Sequence, residues 1–308
     1  MFEVVGESHM MAAGKFKDLE KNDFRILAAT ELLMKRHEYV PHEELVSISR
    51  LRDDEVAYRT RALAKDRLLA RGKGELLGYQ GYTLTMSGYD ALALRGLVSS
   101  GAIEAIGKSL GVGKESDIYE ALGSRGRRCA VKFQRLGRTS FRQTSRKREF
   151  IAERSHISWL YQSRLSAERE YRALRLLYSV RVSVPKPIAQ NRHVVVMGLI
   201  VGTELKYAEM EDAAPILREI LRNVRRTYRK AELIHADLSE YNILIKADGR
   251  VLIIDWPQSV GVSHPNAENY LRKDLYNIIT AFRRKTGLDP DLEGVIRYVK
   301  GTKNRVTL

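Results

Sequence analysis

The fold of this 308-residue chain is decided by two stretches, HADLSEYNILI at residues 235–245 and VLIID at residues 251–255. The apolar pieces Ile243–Ile245 and Val251–Ile254 are separated by an Asp-Gly turn and predict a short hairpin. Asp237 and Asn242 then lie at the end of the hairpin from which Asp255 emerges. Two carboxylates and an amide that converge there could orient a hydroxyl and supply oxygen ligands to Mg²⁺, as phosphoryl transfer requires.

The same pattern also fits an ordinary hairpin with solvated turns, because loops are rich in Asp and Asn. The upstream half of the chain argues against that alternative. Glycines at 111 and 113 lie in a turn between strand-like segments, and Ala-Val-Lys ending at Lys132 follows. Glycine permits positive φ angles and lets backbone N–H groups approach a phosphate. The turn is not a Walker loop, because Glu115 stands where Ser or Thr must follow the lysine. A strand rather than a helix follows it, which disfavours a Rossmann turn.

Lys132 would hold the α- and β-phosphates, and such a lysine needs an anionic partner to fix its position. The predicted helix Ser166–Leu177 offers Glu168 and Glu170. Glu170 is preferred because it lies at the edge of the apolar helix face. The alternatives are a solvated edge-strand lysine and a surface glutamate that pairs with an arginine of its own helix.

The chain resembles the RIO family of atypical protein kinases, most closely its second type, which carries an N-terminal winged helix. The residues that carry the resemblance are GVGKESDIY at 111–119, LSAERE at 165–170, VPKP at 184–187, residues 235–244, IDWPQ at 254–258 and SHPNAE at 263–268. The likeness extends from about Asp23 to about Phe282. The catalytic-loop pattern matches that of protein kinases except that Ala236 replaces the usual arginine.

This resemblance implies an α+β fold in which an N-terminal winged-helix domain precedes a bilobal, truncated protein-kinase-like domain. It implies ATP and Mg²⁺ as cofactors, with Mn²⁺ as an alternative metal. Asp237 would be the catalytic acid–base residue, and Asn242 and Asp255 would bind the metal. Asp255 would also accept the γ-phosphate, while Asp274 would be structural support for the catalytic loop. The residues implied to bind ATP are Gly111, Gly113, Lys114, Glu115, Ser116, Lys132, Glu170, Met197 and Leu199.

The sequence departs from ordinary protein kinases in the second half of the domain. Trp256-Pro257 follows the metal-binding aspartate in place of Phe-Gly, and no Ala-Pro-Glu motif comes later. The lower lobe is therefore expected to be too short for the usual peptide-substrate groove. Within the RIO pattern itself, Gly198 replaces an acidic residue that is expected in the hinge. The adenine would still bond to hinge backbone groups.

The composition favours a polyanionic partner. Lys and Arg number 53 against 38 Asp and Glu, which gives a formal net charge of +15. The single cysteine, Cys129, excludes an intrachain disulfide framework and suits a reducing compartment. No apolar stretch approaches the roughly 20 residues of a membrane span, and residues 1–14 lack a signal-peptide pattern. These features predict a cytoplasmic protein without a membrane partner.

Two domains are expected, a winged-helix domain at 1–90 and a RIO-type kinase domain at 91–308. Within the kinase domain the N-lobe would span about 91–197 and the C-lobe about 198–308. The N-terminal pattern predicts three helices, a hairpin wing and a further helix. Their predicted bounds are Asp23–His37, Pro41–Ser49, Asp53–Ala70, Leu77–Tyr79 with Tyr82–Thr85, and Tyr89–Val98.

Basic residues recur in three segments that could contact RNA. The third helix carries Arg59, Arg61 and Lys65, which are candidate nucleic-acid-binding residues, although a solvated helix face is the alternative. Residues 134–159 predict a mobile loop with candidate autophosphorylation hydroxyls and RNA-binding arginines, or else a plain connector. Arginines between Arg218 and Arg229 line one face of another helix.

Two functions remain as hypotheses. The first is an atypical serine/threonine kinase or ATPase that acts on the maturing small ribosomal subunit and its rRNA, a setting that the family resemblance implies. The second is a catalytically idle, nucleotide-sensing RNA-binding protein with a kinase-like fold. The sequence favours the first, because Lys132, Asp237, Asn242 and Asp255 are all present. It does not identify a protein substrate.

Overall fold

The computed structural model describes residues 16–73, 78–136 and 155–307. These residues form two compact units. One unit comprises the described residues up to Ala167 together with Ala189–Val196, and the other comprises Glu168–Ile188 and Met197–Leu308. No helix within the described ranges is long and apolar enough to cross a membrane.

The N-terminal part of the first unit consists of helices packed on a small antiparallel sheet. In chain order the elements are α1 (Lys21–Leu33), β1 (Val40–Pro41), α2 (His42–Ser49), α3 (Asp53–Lys65), β2 (Leu69–Lys73), β3 (Gln80–Leu84) and α4 (Met86–Ser99). The strand order is β1-β3-β2. One apolar core joins these elements, with Ile26, Leu27, Leu45 and Leu63 at its centre. The predicted winged-helix architecture is therefore present.

Several predicted boundaries in this region are wrong, including the end of α1, which lies at Leu33 rather than His37, and the start of α4, which lies at Met86 rather than Tyr89. The third helix ends at Lys65 rather than Ala70, because Arg67 adopts a φ of 58° and Leu69 enters a strand. The wing is formed by β2 and β3, which pair from Leu69↔Leu84 to Lys73↔Gln80. Of the expected strand 77–79, residue 77 lies outside the described residues and the other two belong to no strand. The helix prediction had therefore included the first two residues of β2, the strand that pairs with β3.

A five-stranded sheet follows, with strand order β4-β5-β6-β8-β7. Its strands are β4 (Ala105–Val112), β5 (Ser116–Gly123), β6 (Arg127–Gln134), β7 (Pro187–Asn191) and β8 (Val194–Gly198). Helix α5 (Ser155–Ser179) lies between β6 and β7 in the chain. Helix α5 is longer than predicted and contains the expected segment 166–177. Most of the predicted loop 134–159 lies outside the described residues, and its last part belongs to α5.

The remaining elements belong to the second unit. They are β9 (Thr203–Glu204), α6 (Ala213–Arg226), a π-helical turn (Thr227–Ala231), β10 (Leu233–Ile234), β11 (Ile243–Ile245), β12 (Val251–Ile253), β13 (Val260–Gly261), α7 (Ala267–Thr286) and α8 (Leu292–Lys300). Strands β11 and β12 pair from Ile243↔Ile253 to Ile245↔Val251, which confirms the predicted hairpin. Buried Trp256 and Phe282 contribute to the core of this unit.

Candidate active site

The catalytic loop, residues 235–242, connects β10 to β11 in the second unit. Asn242 ties its two ends together. Its side-chain Nδ2 donates to the carbonyl oxygen of Asp237 at 2.9 Å, and its own carbonyl oxygen accepts from Ile254 N at 2.9 Å. Asp255 follows Ile254 directly. The hairpin register therefore brings Asp237, Asn242 and Asp255 to one end of β11 and β12, as their spacing predicts.

Buried Asp274 on α7 braces this loop. Its Oδ2 accepts from Ala236 N at 2.8 Å and its Oδ1 from Leu238 N at 2.9 Å. Burial raises the pKa of Asp274 to about 6, although the two backbone hydrogen bonds oppose that rise. Asp274 thus fixes the residues on both sides of Asp237, which is exposed. This placement agrees with the supporting role expected for Asp274.

Two residues of the site adopt left-handed backbone conformations that non-glycine residues rarely adopt. Ala236 has φ of 68° and Asp255 has φ of 69°. Such conformations cost on the order of 1–3 kcal/mol and are concentrated at functional sites. His235, which precedes Ala236, connects these two positions: its Nε2 donates to Ile254 O at 3.0 Å, and its ring centroid lies 4.5 Å from that of Trp256. The strain is therefore held in place by buried neighbours.

The first unit carries the phosphate loop, residues 111–116, between β4 and β5. Gly113 N donates to Ser116 O at 2.8 Å and closes the turn. Neither Gly111 nor Gly113 has a positive φ, so the expected need for that conformation is absent here. A Cβ at Gly111 would meet nothing within 4 Å, and one at Gly113 would lie 3.3 Å from Ser116 O. The glycines therefore leave the surface of the loop open without requiring an unusual backbone.

Lys132 and Glu170 are both buried, each in its own unit. Lys132 is 6% exposed on β6, opposite Ile118 of β5, and Glu170 is 1% exposed on α5. Burial of these charges disfavours the two alternatives of a solvated edge lysine and a surface glutamate. At the end of β8, Met197 is buried, and Gly198 N donates to Lys186 O at 2.8 Å. Leu199, the other hinge residue expected to bind ATP, is partly exposed.

The candidate nucleic-acid residues differ in their surroundings. Arg59 is bound to three carboxylates, those of Glu20, Asp23 and Glu55, at 2.8–2.9 Å. Its side chain is only 14% exposed. Arg61 and Lys65 are exposed on the same helix. The guanidinium of Arg59 therefore stabilises the N-terminal helices, and the exposed cationic surface of α3 comprises Arg61 and Lys65.

The basic stripe on α6 also has internal partners. Arg225 donates to Lys303 O at 2.8 Å and to Tyr298 O, and its guanidinium lies 4.6 Å from the centre of the Tyr298 ring. Arg226 donates to Arg181 O. These two arginines satisfy carbonyl groups of neighbouring segments, so the stripe is in part a structural feature.

Sequence patterns gave no indication of a buried cluster around Arg135 in the first unit. Arg135 was expected in the mobile segment 134–159, yet it is 4% exposed and bound to Asp90 and Asp117. His193 is also buried, with its Nε2 beside Asp90 Oδ1. The contacts span up to 103 residues of sequence, so no local pattern could have revealed them.

The described elements define a class of protein. One unit has a glycine turn between antiparallel strands and a buried lysine on the third strand, and the other has an aspartate–asparagine loop followed by a strand-end aspartate. That combination is typical of protein-kinase-like phosphotransferases. The family models agree with it: a RIO domain matches residues 117–294, and the domain described as "Rio2, N-terminal" matches residues 16–100.

The chain belongs to the RIO family. It is 41% identical over 276 residues to the RIO-type serine/threonine-protein kinase Rio2 of Methanocaldococcus jannaschii, covering 86% of this chain and 99% of that relative. It is 34% identical over 285 residues to the serine/threonine-protein kinase rio2 of Schizosaccharomyces pombe, covering 92% and 82%. A crystal structure of the Rio2 kinase–ADP/Mg²⁺–phosphoaspartate complex from Chaetomium thermophilum matches with a TM-score of 0.81 and 36% identity, covering 90% and 84%.

Proposed function

We propose that this protein is an ATP- and Mg²⁺-dependent atypical serine/threonine kinase or ATPase that acts in maturation of the small ribosomal subunit in the cytoplasm. Residues 1–90 would form its winged-helix docking domain and residues 91–308 its RIO-type kinase domain. The observation that carries the proposal is the connection of Asp237, Asn242 and Ile254, the residue before Asp255, by two hydrogen bonds of 2.9 Å at one end of the hairpin. The relatives are serine/threonine-protein kinases, which supports the reaction class.

The donor set of the second unit fits Mg²⁺. Within the described ranges, no group of three or more His, Cys, Asp or Glu side chains could hold a metal ion without further ligands. Mg²⁺ is normally bound by one or two carboxylates together with waters and substrate phosphates, and an amide oxygen is an acceptable ligand. Asp255 and Asn242 would therefore hold Mg²⁺ together with ATP phosphates. The bound metal would neutralise charge that develops on the transferred phosphoryl group.

The phosphates and the adenine would use the remaining predicted residues. Lys132 would pair with the α- and β-phosphates and Glu170 would orient it. The phosphate loop, with Lys114, Glu115 and Ser116, would cover the triphosphate. Since Gly198 N is already bonded to Lys186 O, hinge contacts with the adenine would come from Met197 and Leu199.

Asp255 would accept the γ-phosphoryl group. A carboxylate oxygen of Asp255 forms a bond to the γ-phosphorus while the bond to the β,γ-bridging oxygen breaks, and ADP leaves. A water deprotonated by Asp237 would then attack the acyl phosphate, releasing inorganic phosphate and restoring Asp255. The Rio2 kinase of Chaetomium thermophilum forms a crystalline complex with ADP, Mg²⁺ and phosphoaspartate, and this complex supports the route.

Radiolabelled ATP tests this route directly. Wild-type protein incubated with γ-labelled ATP and Mg²⁺ should carry an acid-stable, hydroxylamine-labile phosphate. Asp255→Asn should remove the label, whereas the matched control Asp248→Asn, in the exposed turn of the same hairpin, should retain it. Label found only on serine or threonine would refute the phosphoaspartate and leave a protein kinase. The absence of both label and phosphate release would favour the idle nucleotide sensor.

Lys132→Ala tests the nucleotide site from the first unit. Because positioning and charge stabilisation supply most phosphoryl-transfer catalysis, turnover should fall by about 10² or more. Near-normal steady-state phosphate release in this variant would contradict the assignment of Lys132.

The proposed partner is the pre-small-subunit particle, through its rRNA. The formal net charge of +15 and the exposed pair Arg61 and Lys65 support a polyanionic partner. Reversing both charges, Arg61→Glu with Lys65→Glu, should weaken binding to small-subunit rRNA. The slope of log K against log salt should also become shallower by about 0.7–0.9 for each lost phosphate contact.

A pair on α6 provides the matched control. Arg218→Glu with Arg222→Glu changes net charge equally on another exposed helix face. If both double variants lose the same affinity for rRNA, the loss reflects net charge alone and not a specific contact surface. A larger loss in the α6 variant would move the contact from the winged helix to that face.

A further inference from the structure

Four residues form a buried cluster beside the phosphate loop, here called the Arg135 cluster: Asp90, Asp117, Arg135 and His193. Each is at most 5% exposed. Arg135 Nη1 and Nη2 donate to the two carboxylate oxygens of Asp90 at 2.6 and 3.0 Å, and Nε donates to Asp117 Oδ2 at 2.8 Å. His193 Nε2 lies 2.8 Å from Asp90 Oδ1. One guanidinium thus joins two carboxylates from separate elements.

The cluster is connected to the phosphate loop in two ways. Asp117 follows Ser116, the last residue of the loop. The backbone N–H of Arg135 also donates to the carbonyl oxygen of Glu115 at 2.6 Å. The C-terminal side of the loop is therefore bonded to Arg135 through both its side chain and its backbone.

The other side of the cluster is connected to the winged-helix core. Asp90 lies on α4, between Tyr89 and Ala91, and both of these neighbours belong to the apolar core of the N-terminal helices. The Tyr89 ring also stacks on His193 with centroids 4.7 Å apart. Helix α4 thus contributes to two structures at once, the core of the winged helix and the cluster beside the loop.

Burying three charges costs desolvation free energy, and a well-packed apolar contact between the same elements usually stabilises a fold equally well. The bidentate geometry of a guanidinium, in contrast, fixes the orientation of its partners. An arginine here therefore indicates a requirement for geometry rather than for stability alone.

We infer that Arg135 is a positioning residue for the triphosphate: it holds the phosphate loop in register with α4 and so couples the winged-helix core to ATP binding. This inference rests on the proposed function. It assigns Arg135 no contact with the substrate and makes its effect depend on the phosphates rather than on the adenine.

Arg135→Lys keeps the charge and removes the bidentate geometry. Affinity for MgATP should fall about 10-fold or more, because a displaced loop aligns its backbone N–H groups poorly with the phosphates, and hydrogen bonds to charged groups contribute more than those between neutral groups. Affinity for adenosine, which lacks phosphates, should stay within about twofold of the wild-type value. Isothermal titration calorimetry of the full chain with MgATP and with adenosine measures both.

The matched control is Arg128→Lys. Arg128 lies on β6, the strand that ends directly before Arg135, and pairs with Glu120 at 2.6 Å, further from the loop. Both of its affinities should remain at wild-type values. Equal losses of ATP and adenosine affinity in Arg135→Lys, or no loss of either, would overturn the inference. A wild-type chain that binds no MgATP would instead refute the proposed function itself.

Hydrogen–deuterium exchange of the wild-type chain provides a test that needs no variant to fold. MgATP should slow amide exchange in α4 several-fold more than adenosine does, because the phosphate contacts are transmitted through Asp90. Identical α4 exchange with the two ligands would overturn the coupling.

Discussion

Asp274 and Asp90 are two buried aspartates that brace loops by different means. Asp274 accepts hydrogen bonds from two backbone amides at 2.8 and 2.9 Å, and burial raises its pKa to about 6. Burial alone would raise the pKa of Asp90 as well, but the charge of Arg135 and the hydrogen bond from His193 outweigh it and lower the pKa. The carboxylate charge is therefore poorly compensated at Asp274 and well compensated at Asp90.

The difference teaches that hydrogen bonds and charge pairing are not equivalent as supports. Two amide dipoles fix the position of a carboxylate but compensate only part of its lost hydration. A guanidinium compensates the charge, but if the carboxylate is removed, the guanidinium is left as an unpaired buried charge that destabilises the fold. The catalytic loop should thus depend on pH near 6, whereas the Arg135 cluster should depend on both partners being present.

The largest expected effect is on stability. Asp90→Ala leaves the Arg135 charge under-compensated in a buried site and should lower the free energy of unfolding by about 3–5 kcal/mol. Asp274→Ala should cost clearly less, because it removes a desolvated carboxylate along with its hydrogen bonds. Urea denaturation at pH 7 measures both, and Asp54→Ala in an exposed pair should change nothing. An Asp274 variant as unstable as the Asp90 variant would break the comparison.

The second largest expected effect is a difference between Asp274 and Asp90 in how they make stability depend on pH. The raised pKa of Asp274 means that the native state keeps its proton when the unfolded state has lost it. Relative to Asp274→Asn, wild-type stability should therefore fall by up to about 3 kcal/mol as pH rises from about 4 to about 6, and stay level above.

For Asp90 the sign is reversed. Its lowered pKa stabilises the native state above the unfolded pKa of about 3.9, and that contribution is lost only as pH falls below this value. Relative to Asp90→Asn, wild-type stability should be constant between pH 5 and 8. Thermal unfolding of both pairs from about pH 4 to about pH 8 covers both trends, and parallel curves would contradict the assigned environments.

Activity should respond at Asp274 as well. An asparagine there offers one acceptor and turns an amide donor toward a backbone N–H, so the loop around Asp237 loses one of its two supports. Turnover of Asp274→Asn should fall about 10–100-fold. Phosphate release under saturating MgATP measures this, with the exposed Asp289→Asn as control. Wild-type turnover in Asp274→Asn would show that the loop needs no charged support.

The smallest effect concerns salt. Because the Arg135 cluster is buried, raising NaCl from about 0.1 to about 1 M should change the cost of Asp90→Ala by less than about 0.5 kcal/mol. Urea denaturation of wild type and Asp90→Ala at both salt concentrations tests this. A cost that disappears at high salt would mean that the cluster is accessible to water and ions.

The sequence by itself determined the hairpin and the grouping of its polar residues. Asn242 and Asp255 flank two short apolar runs that are joined by an Asp-Gly turn, and Asp237 lies five residues before Asn242, so pairing of the two runs brings the three residues to one end of the hairpin. The same local patterns predicted the three N-terminal helices and the strands around the phosphate loop. Helix ends were less accurate, because Arg67 left α3 for a backbone conformation that no propensity favours.

Only the tertiary structure decided which arginines are exposed to solvent and which stabilise the fold by binding buried partners. Arg59, Arg135 and Arg225 occur in basic runs that look alike in sequence, yet they bind carboxylates or carbonyls from segments 4 to 78 residues away. Whether an arginine meets solvent or a buried carboxylate depends on which distant elements pack against it. That information is set by the packing of the whole unit, because desolvation and pairing energies arise only after the chain has folded.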